Sequence, residues 1–136
     1  MAEPRHIGAA AVGGENNYIL AIRHGFNYSD IQHVQHSYKL ADKYFASLIG
    51  ISDKTLLRIK KSHAKLSSMS GDRLYRLKKV WELANNVVGS SEGALAWLRR
   101  EQPGLGNQVP LDLLDTEPGY EQVQTLLNRI EYGVLP

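Results

Sequence analysis

Apolar positions recur along this chain at three- and four-residue spacings and never in sustained polar/apolar alternation, which predicts amphipathic helices and no strands. A first helix is expected over 15–23, with Tyr18, Ile19 and Ile22 as its stripe and Gly25 as its stop. Ser29 is the expected cap of a second, 30–38, that turns Ile31 and Val34 inward. Two short helices follow at 42–49 and 53–61, and a polar linker, SHAKLSSMSG, leads to the longest helix. There Ser70 is the expected N-cap and Asp72 falls in the first turn. The stripe is Leu74, Leu77, Val80, Trp81, Ala84, Val87 and Val88, and Gly89 is the stop. Ser90 or Ser91 caps the next helix, which carries Leu95, Trp97 and Leu98 and ends before Pro103. A glycine-rich loop, PGLGNQ, precedes a short helical turn, PLDLL, opened by Pro110. Thr116 or Glu117 caps the last helix, with Pro118 at its first position, where a missing N–H costs nothing. Val123, Leu126, Leu127 and Ile130 form its buried face, and Gly133 ends it. The predicted class is all-α, with seven or eight helices and no internal repeat.

Within this series the stretch 42–61, DKYFASLIGISDKTLLRIKK, reads as a helix-turn-helix. Phe45, Ile49, Leu56 and Ile59 are spaced for the inner faces of two short helices, and Ala46 is small where the axes cross. Gly50 stands at the turn, where a positive φ suits glycine. Ile51 plugs the gap between the helices, and Ser52 is the expected N-cap of the second. Ser52, Asp53, Lys54, Leu57, Arg58 and Lys61 remain for the outer face, and a helix so equipped fits the major groove of DNA. Lys54 and Arg58 are the candidate base-reading side chains; Ser52, Thr55, Lys60 and Lys61 are candidate phosphate contacts. Asp53 serves as a capping residue or, alternatively, accepts from a cytosine amino group. The competing reading is an ordinary helical hairpin with a solvated basic face, in which Lys60 and Lys61 only complement the helix dipole.

Charge favours the first reading. The net value of +2 hides an asymmetry: residues 39–81 hold eleven Lys/Arg against three Asp/Glu, whereas residues 82–136 hold three against eight. A basic middle and an acidic end predict two surfaces for two partners, with polyanion binding concentrated in the former. At 136 residues and 43% hydrophobic the chain can bury one domain, or two small ones sharing a core. It has no cysteine, which excludes disulfides and thiolate-held metals. No apolar run approaches a membrane span, and the first fourteen residues lack the sustained apolar core of a secretory signal, so a cytoplasmic location is expected. Those fourteen residues are Ala/Gly-rich without periodicity and are expected to be disordered.

Catalytic chemistry finds little support. His33 and His36 stand three apart with Asp30 one turn earlier, a spacing that can share a metal, but no further ligand or base lies nearby in sequence. The serines form no nucleophile elbow, and PGLGNQ lacks the lysine and following helix of a phosphate loop. No enzyme activity, metal or cofactor is expected.

The second half carries more specific motifs: LSSMSGDRLYRL, GALAWLRR, and above all VPLDLLDTEPGYEQVQTLLNRIEYGV. With Pro110, Leu111, Asp112, Leu113, Leu114, Gly119, Val123 and the run from Arg129 to Val134, this chain resembles the Xre/MbcA/ParS antitoxin family over roughly 15–134. It departs from the family pattern at TEPGY, where a proline precedes the glycine, and in its long N-terminal extension. The resemblance implies an Xre-like helix-turn-helix followed by a small helical toxin-binding domain. It also implies an antitoxin that neutralises a RES-domain toxin encoded beside it, an enzyme that depletes NAD or modifies a target with ADP-ribose. The antitoxin itself would not be a catalyst; it would repress its operon by binding operator DNA, as a homodimer or within the toxin complex. On this basis the chain divides into a disordered 1–14, a DNA-binding domain at 15–68 and a toxin-binding domain at 69–136.

An NAD-using pocket must hold a pyrophosphate and is therefore cationic. Glu131 and the terminal carboxylate can compete for that charge, while Tyr132 and Leu135 fill apolar space. The candidate toxin-binding residues are Arg129, Glu131, Tyr132, Gly133, Val134, Leu135 and Pro136, with core packing the competing role for Ile130 and Val134. Trp81 and Trp97 are assigned to the core ahead of an interface, and Pro110 and Gly119 to structural roles. The alternative function is a free-standing helix-turn-helix regulator without a toxin partner, whose C-terminal helices only dimerise.

Overall fold

A computed structural model describes residues 15–133, and helix-starting and helix-stopping residues at short intervals cut these described residues into seven α-helices. The expected disorder of 1–14, and Val134, Leu135 and Pro136 of the tail, lie outside the described residues. The helices are α1 (Glu15–His24), α2 (Tyr28–Tyr38), α3 (Asp42–Ile49), α4 (Asp53–Ser62), α5 (Ser68–Val88), α6 (Ser91–Leu98) and α7 (Glu117–Glu131). Two 3₁₀ turns, Pro103–Leu105 and Pro110–Leu113, lie between α6 and α7. Among the described residues there is no strand, only an isolated bridge between Gln102 and Gln108, and no helix long and apolar enough to cross a membrane. The chain is all-α, as its periodicity predicts.

Two compact units divide between Tyr75 and Arg76, inside α5. The core of the first unit is built from Phe26, Ile31, Val34, Tyr38, Phe45, Leu48, Ile49, Leu56 and Leu74, each at most 2% exposed. Burial raises the Tyr38 phenol well above its ordinary pKa, because a phenolate there would lose its hydration. The second unit buries Leu77, Val80, Ala84, Ala94, Leu98, Leu114, Val123 and Leu127.

Several local expectations need correction. Ile19 does not belong to the α1 stripe, being 44% exposed, while Tyr18 is buried and its ring lies 4.8 Å from that of Tyr75. Asn27, not Ser29, caps α2: its side-chain oxygen accepts from the Asp30 N–H at 3.1 Å, so the helix begins two residues early, and the Ser29 hydroxyl donates to that same oxygen. Likewise Ser67, not Ser70, accepts from a first-turn N–H of α5; Ser70 is buried within the helix and Asp72 lies beyond its first turn. Val88, at the α5 terminus, is exposed, and Trp81 and Trp97 are half-buried rather than fully enclosed. The PGLGNQ loop opens with a 3₁₀ turn, Pro103–Leu105, and is closed by the Gln102 N–H donating to the Gln108 carbonyl at 3.0 Å. Pro118 sits one place inside α7, and Thr116 is the cap.

Candidate functional site

The α3–α4 hairpin is fixed by its own turn. Gly50 adopts φ +77°, its N–H donates to the Ser47 carbonyl, and the Ile51 N–H reaches back to Ala46 at 3.0 Å. These two bonds satisfy the last carbonyls of α3, and the glycine provides the left-handed residue such a closure requires. Ala46 is fully buried, as its place at the crossing demands. Ser52 then caps α4: its hydroxyl oxygen accepts from the Thr55 N–H at 3.0 Å, and its O–H donates to the Thr55 hydroxyl oxygen. At the far end His63 closes the helix in the left-handed conformation, its ring stacked on Tyr28 at 4.1 Å.

Leu56 and Ile59 hold α4 to the core, which leaves the opposite face outward. Ser52, Asp53, Lys54, Arg58 and Lys61 are exposed, as is Leu57; Thr55 and Lys60 are half-buried. Lys54, Leu57, Arg58, Lys61 and Ser62 surround an open hollow of about 390 Å³. Lys60 is engaged within the chain: its ammonium donates to Asp42 at 2.5 Å, tying α4 to the start of α3. Gln35 donates to the same carboxylate oxygen at 2.7 Å. Those two hydrogen bonds, Lys60 first, hold the Asp42 carboxyl below its ordinary pKa.

One cation escaped the sequence reading. Arg73, from α5, lays its guanidinium over the turn, since a Cβ at Gly50 would stand 2.6 Å from its Nη1. The contact joins residues far apart in sequence, and only the net charge of the middle third signalled that more cations gather here.

The second unit presents a different surface. The Thr116 hydroxyl oxygen accepts from the Gly119 N–H at 3.1 Å, and Gly119 itself is pressed against the second 3₁₀ turn. A Cβ there would fall 1.9 Å from the Leu113 carbonyl oxygen, so the close-packing role read from the sequence is what the backbone requires. Arg76 pairs with Glu117 at 3.0 Å, linking α5 to the head of α7. Tyr120, Val123, Leu126 and Leu127 face inward, but the buried stripe ends there. Ile130, expected in the core, is 38% exposed, and Tyr132 is 77% exposed. Arg129, Glu131 and Gly133 are exposed beside them, and Gly133, at φ +75°, turns the chain out of the helix. Arg129 also lines a groove of about 440 Å³ with Gly104, Leu105, Pro118, Glu121 and Thr125.

The histidine arrangement does not assemble. Asp30 is buried whereas His33 and His36 are exposed, and no group of three or more potential ligands capable of holding a metal occurs among the described residues.

Comparison with known proteins identifies both domains. Residues 18–77 match the antitoxin Xre-like helix-turn-helix domain, and residues 83–133 match the antitoxin Xre/MbcA/ParS C-terminal toxin-binding domain. An antitoxin Xre of Yersinia enterocolitica is 28% identical over 131 residues, covering 96% of this chain and 88% of that protein. An antitoxin Xre of Photorhabdus laumondii is 30% identical over 89 residues, 65% of this chain and 60% of that protein. With a DNA-binding hairpin and a toxin-binding unit matched in that order, the chain belongs to the Xre family of antitoxins.

Proposed function

We propose that this antitoxin neutralises a RES-domain, NAD-degrading toxin by occluding its active site with the end of α7 and the tail that follows. We further propose that it represses its own operon as a cytoplasmic homodimer. The observation that carries the first half is the departure of Ile130 and Tyr132 from the buried stripe of α7. Two large apolar side chains stand in solvent, flanked by Arg129 and Glu131, just where Gly133 redirects the chain. Exposed apolar groups with a charged rim are the usual make-up of an interface anchor. Glu131 brings the negative charge that a pyrophosphate-binding pocket attracts.

On the DNA side, the outward set on α4 supports base reading by Lys54 and Arg58, with Ser52, Thr55 and Lys61 on phosphates and Asp53 confined to the helix start. Lys60, paired to Asp42, contributes as part of a network rather than as a free cation. Two copies are needed because one hairpin spans a single half-site.

The test is co-expression with the reading frame adjacent to the antitoxin gene. Cellular NAD should collapse when that neighbour is expressed alone and be restored by the full chain. A neighbour that leaves NAD untouched, or an antitoxin that protects without binding it, would refute the proposal.

A further inference from the structure

We infer that Leu57 is a thymine-reading residue: its side chain contacts the C5-methyl group of a thymine in the major groove, between the bases held by Lys54 and Arg58. The inference rests on the placement of α4 in that groove proposed above. Leu57 is 50% exposed, while Leu56 and Ile59 on the opposite face are at most 3% exposed, so α4 is held to its core without it. A lone surface leucine is commonplace and by itself calls for no partner. Its position sets this one apart. Lys54, Leu57, Arg58 and Lys61 follow the i, i+3, i+4, i+7 spacing of one helix face, and together with Ser62 they border the same open hollow. The long stems of Lys54, Arg58 and Lys61 are aliphatic and only their heads are charged. The hollow therefore has an apolar floor and a cationic rim.

An occupant that matches it must offer a small apolar group framed by negative charge. In the major groove the thymine methyl is the apolar group that distinguishes one base from the other three, and phosphates flank it on both strands. The cations can reach phosphates and guanine edges, but none of them recognises a methyl group. Leu57 supplies that complement. It lies one turn inside α4, within the N-terminal portion that such helices direct at base edges.

The experiment uses the full-length chain and duplexes it selects from a random pool. Each thymine is replaced singly by deoxyuridine, which removes the methyl group and nothing else. Loss of one buried methyl corresponds to about a fourfold drop in affinity, expected at one position in each half-site. Leu57→Ala should bind the thymine and uracil duplexes equally, with an unchanged circular dichroism spectrum. Arg58→Ala should weaken binding to both duplexes and preserve the ratio between them. If Arg58→Ala weakens binding but no uracil substitution matters, or Leu57→Ala retains the sensitivity, the thymine assignment falls while α4 stays in the groove. If Lys54→Ala and Arg58→Ala are both without effect, the groove placement falls and the inference with it. Uracil-insensitive DNA binding combined with loss of toxin capture by Leu57→Ala would assign the hollow to a protein and overturn the inference.

Discussion

Replacing Gly119 with alanine reverses the usual consequence of that exchange. Inside a helix the change normally stabilises by about 0.5–1 kcal/mol, because alanine surrenders less backbone entropy. Here the added Cβ would sit 1.9 Å from the Leu113 carbonyl oxygen and 2.9 Å from its carbon. Carbon and carbonyl oxygen rest about 3.3 Å apart even in close favourable contacts, so the second 3₁₀ turn must retreat by more than roughly 1 Å. The obstacle is backbone, so no side-chain rotation relieves it. Overpacking typically costs about 1–3 kcal/mol, and a backbone collision belongs at the upper end. Subtracting the helix gain leaves a net loss of about 2 kcal/mol. The assay is urea unfolding followed by tryptophan fluorescence, since both tryptophans, Trp81 and Trp97, lie in the unit from Arg76 onward. Gly71→Ala is the control for the sign. Its Cβ would meet Phe26 Cδ2 at 3.4 Å and backbone at 3.6 Å, so circular dichroism should show that variant as stable as the wild type or more so. If Gly119→Ala matched the wild-type midpoint, the close approach of α7 to the 3₁₀ turn would be wrong.

Two further predictions separate stability from binding. Ser52→Ala should cost about 1 kcal/mol in thermal unfolding through the lost cap, whereas Ser52→Asp should keep the cap and lower affinity for DNA by adding charge beside the phosphates; an aspartate that binds as well as serine would place the start of α4 away from DNA. Asp42→Asn should cost less than about 1 kcal/mol, because its pair with Lys60 is half-exposed and screened. The Asp42 carboxyl is depressed in the folded state, so its contribution is full above the unfolded value near about pH 4 and fades as pH falls through the folded one. Wild-type and variant stability should therefore converge in acid, and a wild-type advantage that grows on acidification would contradict the pairing.

The hairpin was legible because everything that defines it is local. Gly50, Ser52 and the Phe45, Ile49, Leu56, Ile59 spacing act within a few residues of one another, and the observed bounds of α3 and α4 follow them closely. Caps were harder where several side chains compete. Asn27 and Ser29 both offer an oxygen, as do Ser67 and Ser70, and which one faces the free N–H groups depends on how the preceding chain enters the helix. The pairing of Lys60 with Asp42 joins residues eighteen apart, and the cover of Gly50 by Arg73 joins α5 to the turn; neither leaves a trace in local spacing. Ile130 fits the apolar period of α7 perfectly well. It is exposed because period alone does not say how far along a helix the covering elements extend.

The central claim is that α4 and the end of α7 serve two different partners. It is tested most directly by measuring operator affinity and toxin neutralisation side by side for Arg58→Ala and for a chain truncated after Glu131. Arg58→Ala should lose about 1–3 kcal/mol of operator binding and still protect cells from the toxin, while the truncated chain should bind operator normally and fail to protect. A truncated chain that protects fully, or an Arg58→Ala variant that holds its operator with undiminished affinity, would contradict the account.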